Sequence, residues 1–253
     1  VTAVTTAFPA ARRGTYTFLR DARNTCHVHL VADVDASRLK AARTACGGKL
    51  SYASFVVKAG ADVIADCPPA RSVLTGSTGR PKLAVLDEVH AKVLFDKTVD
   101  GTRCVVSGIV KSAQQRSVLE VQTELDAYKD AEVTDPEGPF RNVLRVAKLP
   151  VPLAWLAYRL ATRDPRRRTE LGGVFSVTSV GHEPVRSILP MITGSLGFGV
   201  GRIVDTPVVR DGQIVAAPVL TLSLTFDHRI LDGALAAELL ARTKDKLEHW
   251  EMP

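Results

Sequence analysis

Cysteine is scarce in this sequence. There are four, Cys26, Cys46, Cys67 and Cys104, and no two form a CxxC pair. A chain of 253 residues is too long for a disulfide framework to be its main staple, so reduced, mostly buried thiols of a cytoplasmic protein are expected. Aromatic residues make up only 6% and do not alternate with basic ones, which argues against the stacking platforms of a single-strand nucleic-acid binder. No apolar run approaches the roughly 20 residues that span a bilayer. The opening Val1-Thr2-Ala3-Val4-Thr5-Thr6-Ala7 has no basic start followed by a long apolar core, so it does not read as a secretory signal. Glycine (18) and proline (14) are too few for a low-complexity or collagen-like chain. Disorder, fibres and membrane spanning are set aside.

What is present is ordinary for a folded protein: 45% hydrophobic and 24% charged residues. The net charge of +6 favours anionic partners such as coenzyme A, a phosphopantetheine carrier protein or a nucleic acid, without choosing among them. The clearest basic block, Arg163-Asp164-Pro165-Arg166-Arg167-Arg168, reads as a solvated loop after a helix. No internal repeat and no dividing linker is visible, so residues 1–253 are read as a single domain.

Residues 26–34 alternate like a strand. Asp35 or Ser37 can then cap a helix with Leu39, Ala42 and Cys46 on its apolar side, ended by Gly47-Gly48. Ser51 to about Asp66 reads as a buried helix stopped by Pro68-Pro69, and residues 83–95 and 102–111 as strands joined near Asp100-Gly101. Ser117-x-x-Glu120 is a capping box opening a helix to about Asp130. An amphipathic stretch from Phe140 to Ala161 is interrupted by Pro150 and Pro152. Strands are expected near 173–179, 195–205 and 217–226, followed by a long helix from Gly233 to about Trp250. Ala236, Leu240, Thr243, Leu247 and Trp250 would face inward on it. Strands and helices are interspersed without strict alternation, which predicts an α/β two-layer sandwich: a mixed sheet with helices packed on it.

The segment richest in chemistry is Leu220-Thr221-Leu222-Ser223-Leu224-Thr225-Phe226-Asp227-His228-Arg229-Ile230-Leu231-Asp232-Gly233. A strand runs into a turn that delivers a His, an Arg and an Asp, and a helix follows at once. Asp232 and Gly233 then sit at a helix N-terminus, where a carboxylate is favoured by the dipole. A histidine held between two rigid elements suits a general base. On this string alone, a structural histidine beside a helix cap is the better reading.

Asp227-His228-Arg229-Ile230-Leu231-Asp232-Gly233 nevertheless resembles the signature of the catalytic domain of 2-oxoacid dehydrogenase acyltransferases, in the superfamily that includes chloramphenicol acetyltransferase. Phe175-Ser176-Val177-Thr178-Ser179-Val180-Gly181, Leu196-Gly197-Phe198-Gly199-Val200-Gly201-Arg202-Ile203 and His29-Leu30-Val31-Ala32-Asp33-Val34-Asp35 resemble further strands of that family. Arg12-Arg13-Gly14-Thr15-Tyr16-Thr17-Phe18-Leu19 resembles the arginine-pair opening of the chloramphenicol enzymes. The resemblance implies a chloramphenicol acetyltransferase-like fold with His228 as general base. Thr178 falls where the family places a serine that hydrogen-bonds the tetrahedral oxyanion. Asp232 would be a structural carboxylate paired with Arg13, or with Arg12 as second choice, and Gly233 would support the turn. Family members are commonly trimers whose base and oxyanion donor come from neighbouring subunits, so a homotrimer with His228 facing Thr178 across an interface is implied.

The match begins almost at residue 1, so no lipoyl or subunit-binding domain is expected, and a stand-alone enzyme comes first. It would move an acetyl or short acyl group from acetyl-CoA, as co-substrate, to a hydroxyl of a small molecule such as a tetronate-type polyketide intermediate. Two alternatives stand beside it: a lipoyl-dependent acyltransferase core, and a non-catalytic binding or assembly protein of the same fold. No bound cofactor, nucleic acid or membrane partner is expected. His27 and His29 share one side of a strand but lack a third ligand, so no metal is expected. Gly197-x-Gly199-x-Gly201 lacks dinucleotide spacing and reads as close backbone packing. The Trp155–Tyr158 stretch reads as packing rather than a binding box, with a wall of the acceptor pocket as the alternative.

Overall fold

The computed structural model describes residues 3–77, 79–141, 145 and 149–251. Six strands form one mixed sheet: β1 (His27–Asp35), β4 (Ala91–Val99), β5 (Thr102–Val110), β6 (Phe175–Ser179), β7 (Leu196–Arg210) and β8 (Gln213–Asp227). Their spatial order is β1-β8-β7-β6-β4-β5. The pairs β1/β8, β8/β7 and β4/β5 are antiparallel, while β7/β6 and β6/β4 are parallel. A separate antiparallel ribbon joins β2 (Ser72–Ser77) and β3 (Arg80–Val85). The expected mixed sheet with packed helices is what forms.

One face of the sheet carries the core. Val28, Leu30, Leu224, Phe226, Leu196, Phe198, Phe175, Val177, Val93 and Phe95 lie on it, alternating with residues of the second face as the period of two demands. Four helices cover this face: α2 (Ser37–Ala45), α3 (Tyr52–Ala65), α4 (Val118–Asp130) and α7 (Gly233–Glu248). Phe55, Phe175, Phe198 and Phe226 are fully buried, each contributing about 1.5–3 kcal/mol. α3 starts where the Ser54 N–H donates to the Ser51 hydroxyl at 3.2 Å, and α4 starts in the expected capping box of Ser117 and Glu120. On α7, Ala236, Leu240, Thr243 and Leu247 are buried as expected, and Trp250 meets Phe55 edge-on at 4.8 Å.

The second face is covered differently. α1 (Arg13–Ala22) and α6 (Pro165–Gly172) lie against β5, and α5 (Val151–Ala161) packs beside α1. The segment 181–194 lies across its middle, over β7. The three strand glycines make that possible: a Cβ on Gly199 would come within 2.0 Å of the Ile188 carbonyl oxygen, and one on Gly201 within 1.9 Å of the Arg186 carbonyl oxygen. Close packing is therefore what Gly197-x-Gly199-x-Gly201 serves, against backbone at Gly199 and Gly201 and against the Ser176 and Ile192 side chains at Gly197.

Some elements differ from expectation. The stretch 83–95 is broken between Val85 and Ala91, and β2 carries no alternating signature. β7 and β8 run past residues 205 and 217 into a hairpin at Asp211-Gly212, where φ is 50° and 77°. Val209 and Ile214 in this extension are 71% and 78% exposed, so the ladder rather than burial holds it. Pro152 does not interrupt a helix: it lies in the first turn of α5, where a missing N–H costs nothing. Residues 142–144 and 146–148 of the expected amphipathic stretch lie outside the described residues. Arg163–Arg168 is not a loop, because α6 begins inside it with the Asp164 carboxylate accepting the Arg166 N–H. Arg168 reaches inward and donates to the Leu74 carbonyl at 3.0 Å and to that of Thr193. The four cysteines are free, but only Cys67 and Cys104 are buried, and Cys26 is exposed.

Candidate active site

The expected catalytic turn is a fixed corner. From Leu220 to Asp227 every residue of β8 is buried, and His228 is the first to emerge. Asp227 is 2% exposed and organises the turn after it. Its carboxylate accepts the backbone N–H of Arg229 at 3.1 Å, Nε at 2.8 Å and a terminal guanidinium nitrogen at 2.5 Å. The hydrogen bond to Asp227 raises the Arg229 pKa. The Asp227 carbonyl accepts the N–H groups of Ile230 at 2.9 Å and Leu231 at 3.1 Å, which closes the turn. The His228 N–H donates to the Cys26 carbonyl at 2.9 Å, tying the corner to the start of β1. The ring packs on Phe226, with centroids 5.5 Å apart, and makes no hydrogen bond to another described residue. Backbone position is thus tightly held while the imidazole faces outward, as a base that must meet a diffusing substrate requires.

Asp232 occupies the N-cap position of α7, and its carbonyl accepts the Ala236 N–H at 2.9 Å. Its side chain makes no capping hydrogen bond. Among the described residues no ion pair joins Asp232 to Arg13 or Arg12, so the expected pairing is absent from the single chain. The carboxylate–arginine pair that secures the turn is Asp227–Arg229, two residues apart. Arg13 lies on α1, lining a cavity of about 640 Å³ with Tyr16 and Arg20. Gly233 opens α7, and a Cβ there would meet nothing within 4 Å.

Thr178 is half-buried on β6, on the second face of the sheet. It pairs with Gly199, and Gly199 pairs with Ser223. His228 lies five residues beyond Ser223. At about 3.3 Å rise per residue and about 4.8 Å between strands, Thr178 and His228 are roughly 20 Å apart. One chain does not bring the expected base and the expected oxyanion donor together.

His27 and His29 do share a strand face, with parallel rings 6.3 Å apart. Their partners are structural. His27 Nε2 lies 3.0 Å from the Ile192 nitrogen, and His29 Nδ1 lies 2.8 Å from the Thr225 hydroxyl. Burial, then the neighbouring His27, lowers the His29 pKa. No group of three or more metal-binding side chains occurs among the described residues.

Sequence reasoning missed Lys92. It sits on the second face opposite Ser176, two residues from the level of Thr178. Its ammonium lies 4.4 Å from the centre of the Phe18 ring, and burial pushes its pKa down to about 8. Alternation on β4 was the available signal, since Lys92 falls between Ala91 and Val93, both core residues. Tyr158, expected as packing, is half-buried; burial followed by the nearby Asp21 raises its pKa, against a hydrogen bond to Thr193 that lowers it.

Residues 154–252 match the family model of 2-oxoacid dehydrogenases acyltransferase (catalytic domain). Thr178, His228, Asp232 and Gly233 fall inside that match, and Arg13 falls outside it. The dihydrolipoyllysine-residue acetyltransferase component of the Bacillus subtilis pyruvate dehydrogenase complex is 30% identical over 229 residues, covering 86% of this chain and 44% of the relative. The chain spans about half the length of the curated relatives it matches. In fold it is similar to the cubic core of the pyruvate dehydrogenase multienzyme complex (TM-score 0.68, 21% identity, 97% of this chain and 92% of that one). It is also similar to chloramphenicol acetyltransferase (TM-score 0.53, 14% identity, 96% and 94%).

Proposed function

We propose that this chain is an acyltransferase catalytic domain of the 2-oxoacid dehydrogenase family, and that it moves an acyl group between a coenzyme A thioester and a dihydrolipoyl thiol. The small-molecule hydroxyl acceptor put first from the sequence, and with it the tetronate reading, gains no support from the relatives. They carry dihydrolipoyllysine-residue acetyltransferase names, which favour the lipoyl alternative. Retention of His228 in a corner held by Asp227, Arg229 and Cys26 argues against the non-catalytic alternative.

In this reading His228 takes the proton of the incoming thiol as sulfur attacks the thioester carbonyl. The tetrahedral oxyanion accepts a hydrogen bond from the Thr178 hydroxyl. Collapse breaks the original carbon–sulfur bond, and the departing coenzyme A thiolate recovers the proton from His228. No covalent enzyme intermediate is needed. Because the strand register sets the two backbone positions roughly 20 Å apart in one chain, the site is completed by a neighbouring copy that supplies Thr178. A homotrimer is the assembly proposed, and similarity to a multienzyme core supports it.

The observation that carries the proposal is the exposed imidazole on a rigid, otherwise buried strand end. The test uses acetyl-CoA with dihydrolipoamide, and separately with a hydroxylated tetronate, following acetylated product by chromatography. Acetyl-dihydrolipoamide is expected, with loss of about 10²–10⁴-fold in rate on His228→Ala. Product only from the tetronate would restore the hydroxyl acceptor. Full activity of His228→Ala would remove the proposed base.

A further inference from the structure

Helix α5 turns a leucine stripe to solvent. Leu153, Leu156 and Leu160 recur at i, i+3 and i+7 and are 54%, 49% and 52% exposed. α1 packs beside α5 and adds the exposed Tyr16 and Leu19, with the Phe8 ring tilted against Tyr16 at 5.5 Å between centroids. Trp155 ties the two helices together, with the Arg20 guanidinium 5.2 Å and the Arg159 guanidinium 4.7 Å from its ring centre. Isolated exposed leucines are common on a protein surface, but a run of them on one helix face beside further apolar side chains marks a docking surface.

Charge says what docks. Residues 8–24 and 149–168 together hold nine arginines, no lysine and two aspartates, a net +7 in a chain whose whole net charge is +6; Arg168 turns inward, which leaves eight of these arginines for the outer surface. The rest of the molecule is therefore close to neutral, and its positive field is concentrated around the leucine face. An apolar stripe bordered by arginines is the arrangement by which a helix lies in the plane of an anionic bilayer surface. α5, with 11 residues, is about 16 Å long, too short to cross a bilayer but long enough to lie in its interface. A second copy meeting this face two-fold would set arginines against arginines, and a heterologous contact within the proposed trimer is the competing occupant that the oligomeric mass in the test separates. The expectation of no membrane partner rests on the missing span, which excludes crossing and not surface docking.

We propose that the α1–α5 face docks on an anionic phospholipid surface, with Leu153, Leu156 and Leu160 in the acyl boundary and Arg159 and Arg163 against the phosphates. This is independent of the acyl-transfer reading, because its test involves no turnover. The purified chain is sedimented with vesicles of phosphatidylcholine alone, or with about one third phosphatidylglycerol. Binding to the anionic vesicles is expected, weakened at about 0.5 M salt. Leu156→Ser with Leu160→Ser, both exposed, is expected to lower partitioning about tenfold while leaving the thermal transition in place. Arg159→Gln with Arg163→Gln should lower it on anionic vesicles only. Three outcomes would overturn the proposal: no binding to anionic vesicles; unchanged binding of the leucine variant; or leucine changes that alter only the oligomeric mass, which would assign the face to a second copy.

Discussion

If His228 and Thr178 act in one site but come from different chains, two inactive variants should restore each other. Neither His228→Ala nor Thr178→Val can work alone, because every site in a pure assembly lacks one of the two groups. Loss of an oxyanion donor costs about 10²–10³ in rate and loss of a general base about 10²–10⁴, so each parent should retain roughly 1% or less. When the two are mixed and co-assembled in equal amounts, half of the chains offer an intact His228 and half an intact Thr178. In a closed ring of heterologous contacts, about one quarter of the interfaces then join an intact imidazole to an intact hydroxyl. Activity of roughly one quarter of the parent protein is expected, at least about 25-fold above either variant. The assay is acetyl-dihydrolipoamide formation after co-expression, with mass measurement to confirm mixed assemblies. A co-assembled sample no more active than the sum of its parents would refute the split site. It would mean that the register separation of roughly 20 Å is bridged in some other way, or that Thr178 is not the donor.

Two further perturbations test the frame around the site. Lys92 has a folded-state pKa depressed by burial to about 8, against the ordinary 10.5. The unfolded chain therefore binds more protons between these values, and stability rises with pH through this window, while below it the full burial penalty remains. Lys92→Met should stabilise the protein by about 1–3 kcal/mol at pH 7 and remove that rise, read by urea denaturation at several pH values; an unchanged pH dependence would contradict the burial. Gly199→Ala places a Cβ within 2.0 Å of the Ile188 carbonyl oxygen and 2.4 Å of the Ser223 hydroxyl. A loss of about 1–3 kcal/mol is expected, and an unmoved denaturation midpoint would show that segment 181–194 does not press on β7 as described.

The parts of the fold legible in the sequence are those where local chemistry and burial agree. Ser117 and Glu120 cap α4 through bonds made within four residues, so no knowledge of the rest of the chain is needed. The buried stripe of α7 and the turn at Asp100-Gly101 are local in the same sense. The β7–β8 extension escapes such reading because Pro207, Val209, Ile214 and Ala216 are exposed while Thr206, Val208 and Val215 on the opposite face are only half-buried, so apolar and polar residues do not sort by face; the partner strand holds them. The Asp232–Arg13 pair comes from resemblance alone, while Asp227–Arg229, written two letters apart, secures the turn in this chain. Lys92 is only half legible: alternation between Ala91 and Val93 puts it on the second face, but does not say that this face is covered. A lysine in a strand normally marks a solvent face, and nothing local announces that α1 will cover it.

The position of His228 comes from how the sheet is covered. β8 is flanked by β1 and β7, roofed by helices on its core face and by segment 181–194 on the other. A histidine anywhere from residue 220 to 227 would be sealed between these layers, unable to meet a substrate and costly to charge. One residue past the cover the situation reverses. The backbone is still tied, through Cys26 on one side and the Asp227 turn on the other, but the side chain is free to face out. Position 228 is thus the first that combines strand-like rigidity with solvent access, and one step later Arg229 is needed to neutralise the buried Asp227. The two charged groups beside His228 are therefore structural. Mutating either would loosen where the imidazole stands, without removing the imidazole itself.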